Sequence, residues 1–228
     1  MQKILVIDVG GTHVKIYLTG QEPTRFDSSA SMTPMQMIEG IKKATAGWDY
    51  EVISIGYPGP VVHGKIVLEP VNLGPGWVNF DFAKQFGKPT KLLNDAAMQA
   101  LGSYEGGTML FLGLGTGLGT AMVAEGTLIA MELGHLPYRK GRSYEEYVGI
   151  AGLKRLGKKK WERAVFDVVA RLKAGFVADY VVLGGGNVKK LSELPPGSRP
   201  GDNRNAVLGG LRLWDKNAKM EHVPEEKP

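Results

Sequence analysis

The sequence predicts an α/β protein of two similar lobes with a ligand cleft between them. Three observations carry this. Short apolar runs rich in Val and Ile are interleaved with segments of helical period. The pattern strand, glycine turn, strand occurs twice, around Gly10 and around Gly117. The chain of 228 residues is long enough to bury one large core or two small ones. Glycine lets a backbone approach a ligand closely and turn its N–H groups toward an anion. Two such turns, one per lobe, therefore suggest a clamp on a single phosphate chain.

The elements follow in order. Lys3 to Asp8 and His13 to Thr19 read as strands joined by Gly10-Gly11-Thr12, and Pro23 to Phe26 as a third. Ser31 or Thr33 is placed to cap a helix from Pro34 to about Thr45, with Met37, Ile38 and Ile41 as its apolar stripe. Glu51 to Gly56 is a strand entering a Pro/Gly turn, and His63 to Leu68 a hairpin arm. Val71 to Val78 is a glycine-rich loop; a short helix started by Asn79 or Asp81 ends at Gly87. Thr90 to Leu93 is a strand, followed by Asn94-Asp95 and a helix from about Ala96 to Tyr104. A strand from Thr108 opens the second glycine set, Gly113 to Thr120, and a hairpin turns at Gly126. Ser143 caps a helix expected to run to Gly157, and Lys158 to Lys173 is the next, burying Val165, Val168, Val169 and Leu172. Asp179 to Leu183 is a strand running into Gly184-Gly185-Gly186; Pro195 to Asn203 is loop; Asn205 caps a last helix, Ala206 to Trp214. The expected division is a first lobe over 1–94, a second over 95–204, the helix 205–214 packing back on the first lobe, and a frayed polar tail over 215–228.

Composition narrows the chemistry. There is no cysteine, which removes disulfides, thiolate catalysis and cysteine metal cages and fits a reducing compartment. No apolar run reaches membrane-spanning length and the N-terminus lacks a leader pattern, so a cytoplasmic protein without a membrane partner is expected. The net charge of +5 gathers at Arg139-Lys140, Lys158-Lys159-Lys160 and Lys189-Lys190. That is a solvated basic surface or a guide for a polyanion. No nucleic-acid-binding motif accompanies it, so no nucleic-acid partner is expected.

Chemistry-bearing residues fall at element ends. The first turn is neither a Walker loop nor a dinucleotide fingerprint, since it opens a strand. Asp8, closing the first strand, suits a Mg2+ ion or its waters. Asp95 lies where a strand end meets a helix start, the place where α/β folds put ligands. A carboxylate there can take the proton of a hydroxyl attacking phosphorus, or simply cap the helix. Glu132 and His135, three apart, can share one cavity and bind vicinal hydroxyls.

These motifs together resemble the ROK family of sugar kinases, in particular its polyphosphate glucokinase branch, within the actin/hexokinase/Hsp70-like superfamily of ribonuclease H-like lobes. Asp8-Val9-Gly10-Gly11-Thr12 with Lys15 resembles the first phosphate motif, and Leu114 to Gly119 the second. Asn94-Asp95 is similar to the catalytic segment, and Glu132-Leu133-Gly134-His135 to the sugar motif. Leu183 to Gly186 is similar to the nucleotide-side glycines, Arg204-Asn205-Ala206 with Gly209 to the start of the last helix, and Pro70, Asn72 and Trp77 to a loop whose asparagine contacts sugar.

The resemblance implies a Mg2+-dependent hexokinase with a polyphosphate or ATP donor. Asp95 is then the base, and Asp8, Gly10, Gly11, Thr12, Lys15, Gly115, Thr116, Gly117 and Gly119 hold phosphate. Asn72, Asn94, Asp95, Glu132 and His135 hold the hexose, with glucose expected. Gly184, Gly185 and Gly186 pass the nucleotide, and Asp8 holds the metal. Leu136 to Tyr144 lacks the cysteines of the family's structural zinc loop, so no structural zinc is expected. The chain starts at the first strand without a DNA-binding segment, which argues against a repressor. A homodimer is a family expectation that no apolar stripe in the sequence marks. The competing expectations are a non-catalytic sugar-binding or sensor protein, which has no need of Asp95, and an actin-like assembly protein, which has no need of Glu132 and His135.

Overall fold

A computed structural model describes residues 2–202 and 204–215 and the backbone of 219–220. Elements are numbered in chain order. The first sheet is built from β1 (Ile4–Val9), β2 (His13–Leu18), β3 (Thr24–Asp27), β4 (Val52–Tyr57) and β7 (Thr90–Asn94), in the order β3-β2-β1-β4-β7. A hairpin of β5 (Val61–Val62) and β6 (Lys65–Ile66) lies outside it. Its helices are α1 (Pro34–Ala44) and α2 (Phe82–Phe86). The second sheet contains β8 (Thr108–Leu114), β9 (Leu118–Ala124), β10 (Thr127–Met131), β13 (Tyr180–Gly184) and β14 (Ser198–Pro200), in the order β14-β13-β8-β9-β10, with β15 (Lys219–Met220) added beside β10. Both sheets thus use one plan: a three-stranded antiparallel meander, then two parallel strands on the side of the first strand. The repeat expected from the two glycine turns is a repeat of topology.

The period of two along each strand divides the core into layers. Leu5, Ile7 and Val9 point to one side of the first sheet and pack under Met37, Ile38 and Ile41 of α1. Ile4 and Val6 point to the other, into a core between the lobes. In the second sheet, Met109 and Phe111 face that shared core, while Leu110 and Leu112 pack against Trp161, Val165, Val168 and Leu172. Those last side chains belong to α6 (Lys158–Gly175). Strands buried on both faces read as continuous apolar runs, as here.

Two helices fill the space between the sheets: α3 (Asp95–Ser103) and α7 (Asn205–Arg212). They approach backbone to backbone. A Cβ on Gly102 would run into the Asn205 carbonyl, and one on Gly209 into that of Met98. Beyond α3, α7 also locks onto the first sheet. The Ser54 hydroxyl donates to the Gly210 carbonyl (2.6 Å) and accepts from the Trp214 indole (2.9 Å), while Lys91 donates to the Leu213 carbonyl (3.0 Å).

Local chemistry explains most element ends. Thr33 and Gln36 close α1 with a reciprocal capping box, Asp81 caps α2, and Gly87 ends it in the left-handed region (φ 65°). Four expectations change. The helix after Ser143 is two, α4 (Tyr144–Val148) and α5 (Ile150–Leu156), broken at Gly149, where a side chain would strike the Thr116 and Glu145 carbonyls. The segment 195–203, read as loop, contributes β14, which pairs with β13. Asn205 lies inside α7 and donates to the buried Ser103 hydroxyl (2.6 Å) instead of capping. Within the tail expected to fray, Lys219–Met220 pairs with β10, and 216–218 and 221–228 lie outside the described residues.

Candidate active site

The N-terminus of α3 is where the two lobes meet. Asn94 ends β7 and caps α3, its side-chain oxygen accepting from Ala96 N (2.9 Å) and Ala97 N (3.2 Å). Its amide donates to the Gly59 carbonyl (3.1 Å), leaving one N–H for a ligand. The cap role weighed for Asp95 thus falls mainly to its neighbour. Asp95, half-buried, accepts from Ala96 N (2.7 Å). Burial, then the nearby Asp8 charge and more weakly that of Glu132, push its carboxyl up to about 7. A carboxylate poised there suits general-base work near neutral pH.

Each lobe brings a glycine turn to this point. From the first, Asp8, next to last in β1, pairs with Lys15 across the hairpin (3.0 Å). Ser28 steadies the turn, donating its hydroxyl to the Gly10 carbonyl (2.6 Å) and its N–H to that of Thr12 (2.9 Å). Neither Gly10 nor Gly11 has positive φ. Close approach is what favours them: a Cβ on Gly10 would lie 3.1 Å from the His13 carbonyl, and one on Gly11 3.0 Å from the Asn72 Cβ. Asn72 therefore stands against the first glycine turn, on a loop pinned by Glu69 accepting from Trp77 N (3.1 Å) and Val78 N (3.2 Å).

From the second lobe, Gly119 abuts α3, where an added Cβ would stand 2.9 Å from that of Ala96. Gly115 is different. It has no positive φ, and open space lies where its Cβ would be, so the protein itself does not demand glycine there. Gly117 is crowded by the Glu145 carboxylate, and Thr116 is exposed. Asn187, buried, donates to the Gly115 carbonyl (2.8 Å) and so ties this turn to the Gly184–Gly186 loop. Gly185 holds φ +85° against the Leu114 backbone, Gly184 packs on the Phe111 ring, and Gly186 faces open space.

Glu132 and His135 flank a single 3-10 turn and lie 3.8 Å apart. The other ring nitrogen of His135 is 3.5 Å from Glu145, which stands in the first turn of α4. Burial raises the Glu132 carboxyl above its usual range, His135 opposes this, and the Glu145 charge adds to the rise. Glu145, Ser28 and Asn187 are not among the candidates that the sequence singles out. The capping pattern that announced α4 hid a carboxylate of the cluster.

The residues fit a divalent cation of the Mg2+ type. Asp8 and Asp95 bring like charges together, and such an ion needs only one or two carboxylates beside water and phosphate oxygens. Among the described residues no three His, Asp or Glu side chains converge into a closed metal cage.

Comparison with known proteins agrees with this geometry. The chain is 28% identical to the polyphosphate glucokinase of Mycobacterium tuberculosis over 214 residues, covering 83% of this chain and 80% of that one. The crystal structure of an inorganic polyphosphate/ATP-glucomannokinase from Arthrobacter sp. strain KM superposes with a TM-score of 0.77 at 23% identity, covering 92% of this chain and 97% of the other. A ROK family glucokinase from Streptomyces griseus, solved with glucose and AMPPNP, gives 0.76 at 16% identity, over 92% and 98%. At such identities the two structures establish the shared fold. Residues 4–147 match the ROK family itself, and with the repeated sheet plan on either side of α3 this places the chain in the ROK family, with its two-lobed sugar-kinase fold.

Proposed function

We propose that the chain is a hexose kinase that transfers a phosphoryl group from inorganic polyphosphate or ATP to the 6-hydroxyl of a hexose, with glucose as the expected acceptor. The observation that carries this is Asp95: one carboxylate, poised near neutrality, at a helix start pressed by Gly119 from one lobe and facing Asp8 from the other. In the reaction the sugar oxygen bonds to the terminal phosphorus, the bond from phosphorus to the bridging oxygen breaks, and the hydroxyl proton passes to Asp95. Glu132, His135 and Glu145 orient the sugar hydroxyls, with Asn94 offering its remaining N–H. Asn72 approaches from the first turn. The N–H groups around Gly10–Thr12 and Gly115–Gly119 hold the transferred group and the phosphates behind it. Mg2+, held at Asp8, would neutralise charge on the donor phosphates. Gly186, open to solvent, passes a nucleoside if ATP is the donor.

The names of the relatives support both donors. The basic residues Arg139, Lys140 and Lys158–Lys160 favour a polyanion, a contribution that salt weakens. The test is a coupled assay crossing ATP and polyphosphate with glucose and mannose at low and high salt. Hexose phosphate formed from either donor supports the reading. Sugar binding without transfer from any donor would replace it with a sugar sensor.

A further inference from the structure

We propose that Asp167 is a positioning residue for the acceptor sugar, acting through Tyr138 to fix the hairpin that sets His135 and Glu145. The proposal rests on the hexose-kinase reading of that cluster. His135 and Glu145 are joined by a hairpin of β11 (Pro137–Arg139) and β12 (Arg142–Ser143). A hairpin this short has little stability of its own. What holds it is a clasp onto the middle of α6.

Three donors converge on a single oxygen of Asp167: the Tyr138 hydroxyl (2.6 Å), the Arg171 Nε (2.7 Å) and the Arg139 Nη2 (3.0 Å). Arg171 lies one turn along α6 from Asp167, whereas Tyr138 and Arg139 belong to the hairpin, so the carboxylate ties the hairpin to the helix. The Tyr138 ring then stacks on Tyr144 (5.0 Å) and meets Tyr147 edge-on (4.9 Å), with the Arg139 guanidinium over its face (4.8 Å). Tyr144 immediately precedes Glu145, and Tyr138 follows His135 by three residues. One ring therefore fixes both sides of the sugar cluster.

Burial, then the bond to Asp167, raises the Tyr138 phenol, which keeps it a donor. At Asp167 burial acts upward, but the bonds from Arg171 and Tyr138 outweigh it and hold the carboxyl below its usual range. The far end of α4 is secured separately: the Trp161 indole donates to the Val148 carbonyl (2.7 Å) and Arg155 to that of Glu146 (2.8 Å). Cutting the clasp should thus loosen the hairpin without unseating α4.

The test compares Tyr138→Phe, which keeps the ring stack and loses one bond, with Asp167→Asn and the double variant. Glucose affinity is measured by calorimetry, and KM for hexose and donor in steady state. Each single variant should weaken glucose binding and raise hexose KM by about three- to tenfold, less than the full loss of a charge-assisted hydrogen bond because the clasp acts on the sugar only through His135 and Glu145. With ATP as donor, so that the hairpin's own Arg139 and Lys140 do not enter through polyphosphate, donor KM and kcat should stay within about twofold, and the double variant should be little worse than either single, since both cut one network. A lower melting temperature with unchanged hexose KM, or an equal rise in both KM values, would make the clasp a mere brace and overturn the proposal. Glu145→Gln separates the two layers. If it weakens glucose while Tyr138→Phe and Asp167→Asn do not, the clasp falls and the site stands. If it leaves glucose binding intact, or the unaltered protein binds no hexose, the site reading falls and takes the clasp with it.

Discussion

Replacing Asp95 by Asn should stabilise the resting protein, and by an amount that depends on pH. The carboxyl rises from 3.8 to about 7 on folding, mainly because burial disfavours its charge. Between those values the folded state holds a proton that the unfolded state has released. Stability therefore falls as pH rises from about 4 through about 7, and the full penalty remains above that range. At about 1.4 kcal/mol per unit, a rise of roughly 3 units sets a ceiling near 4 kcal/mol at pH 8. Asp95 is only half-buried and keeps its bond from Ala96 N, so about 1–3 kcal/mol is the realistic gain. The substituted amide is neutral at every pH and can accept the same bond. For a chain of this size about 1 kcal/mol moves the melting point by about 2–4 °C. Thermal melts of both proteins without metal or ligand, from pH 4 to pH 9, should show curves that meet near pH 4 and part by several degrees at pH 8, with the Asp95→Asn variant the more stable. Equal curves at pH 8, or a less stable variant, would show that the folded protein does not strain this carboxylate, and the base assignment would lose its electrostatic ground.

Other outcomes follow from the same geometry. Since a base works only when ionised and Mg2+ at Asp8 would offset the charge that raises Asp95, kcat/KM should rise with pH and level off by about 7, and a rate that falls as pH rises from 5 to 7 would contradict this. Gly115→Ala adds a methyl to open space, so melting should not change while donor KM rises; a lower melting point with normal donor KM would reverse that inference. Ser54→Ala leaves the Gly210 carbonyl and the Trp214 indole without their partner and should cost about 1–3 kcal/mol in denaturant melts while both KM values stay put.

Much of this was legible in the sequence, for stated reasons. The two-lobed plan was visible because its repeated unit is local: an apolar run, glycines and another apolar run lie within about twenty residues, near Gly10 and again near Gly117. Caps and stops were legible for the same reason, as at Thr33, Asp81, Gly87 and Ser143. What escaped depends on distant partners. β14 carries Pro200 and no alternation, and is a strand only because β13 offers it an edge. The helix breaks at Gly149, where the backbone is extended and Ile150 N donates across to the Gly115 and Thr116 carbonyls (3.2 and 3.1 Å), which no window around residue 149 reveals. Asn205 looked like a cap until Ser103, on another helix, claimed its amide. Around the candidate site, the residues the sequence singles out lie in short local motifs, whereas Ser28, Glu145 and Asn187 reach their partners from other segments.

Phosphoryl transfer by Asp95→Asn measures most directly whether this carboxylate takes the proton of the attacking sugar hydroxyl. Hexose 6-phosphate formation should be compared with the unaltered protein, using ATP and polyphosphate, beside calorimetric glucose binding. Turnover should fall by about 100-fold or more with glucose still bound. Turnover near that of the unaltered protein would contradict it.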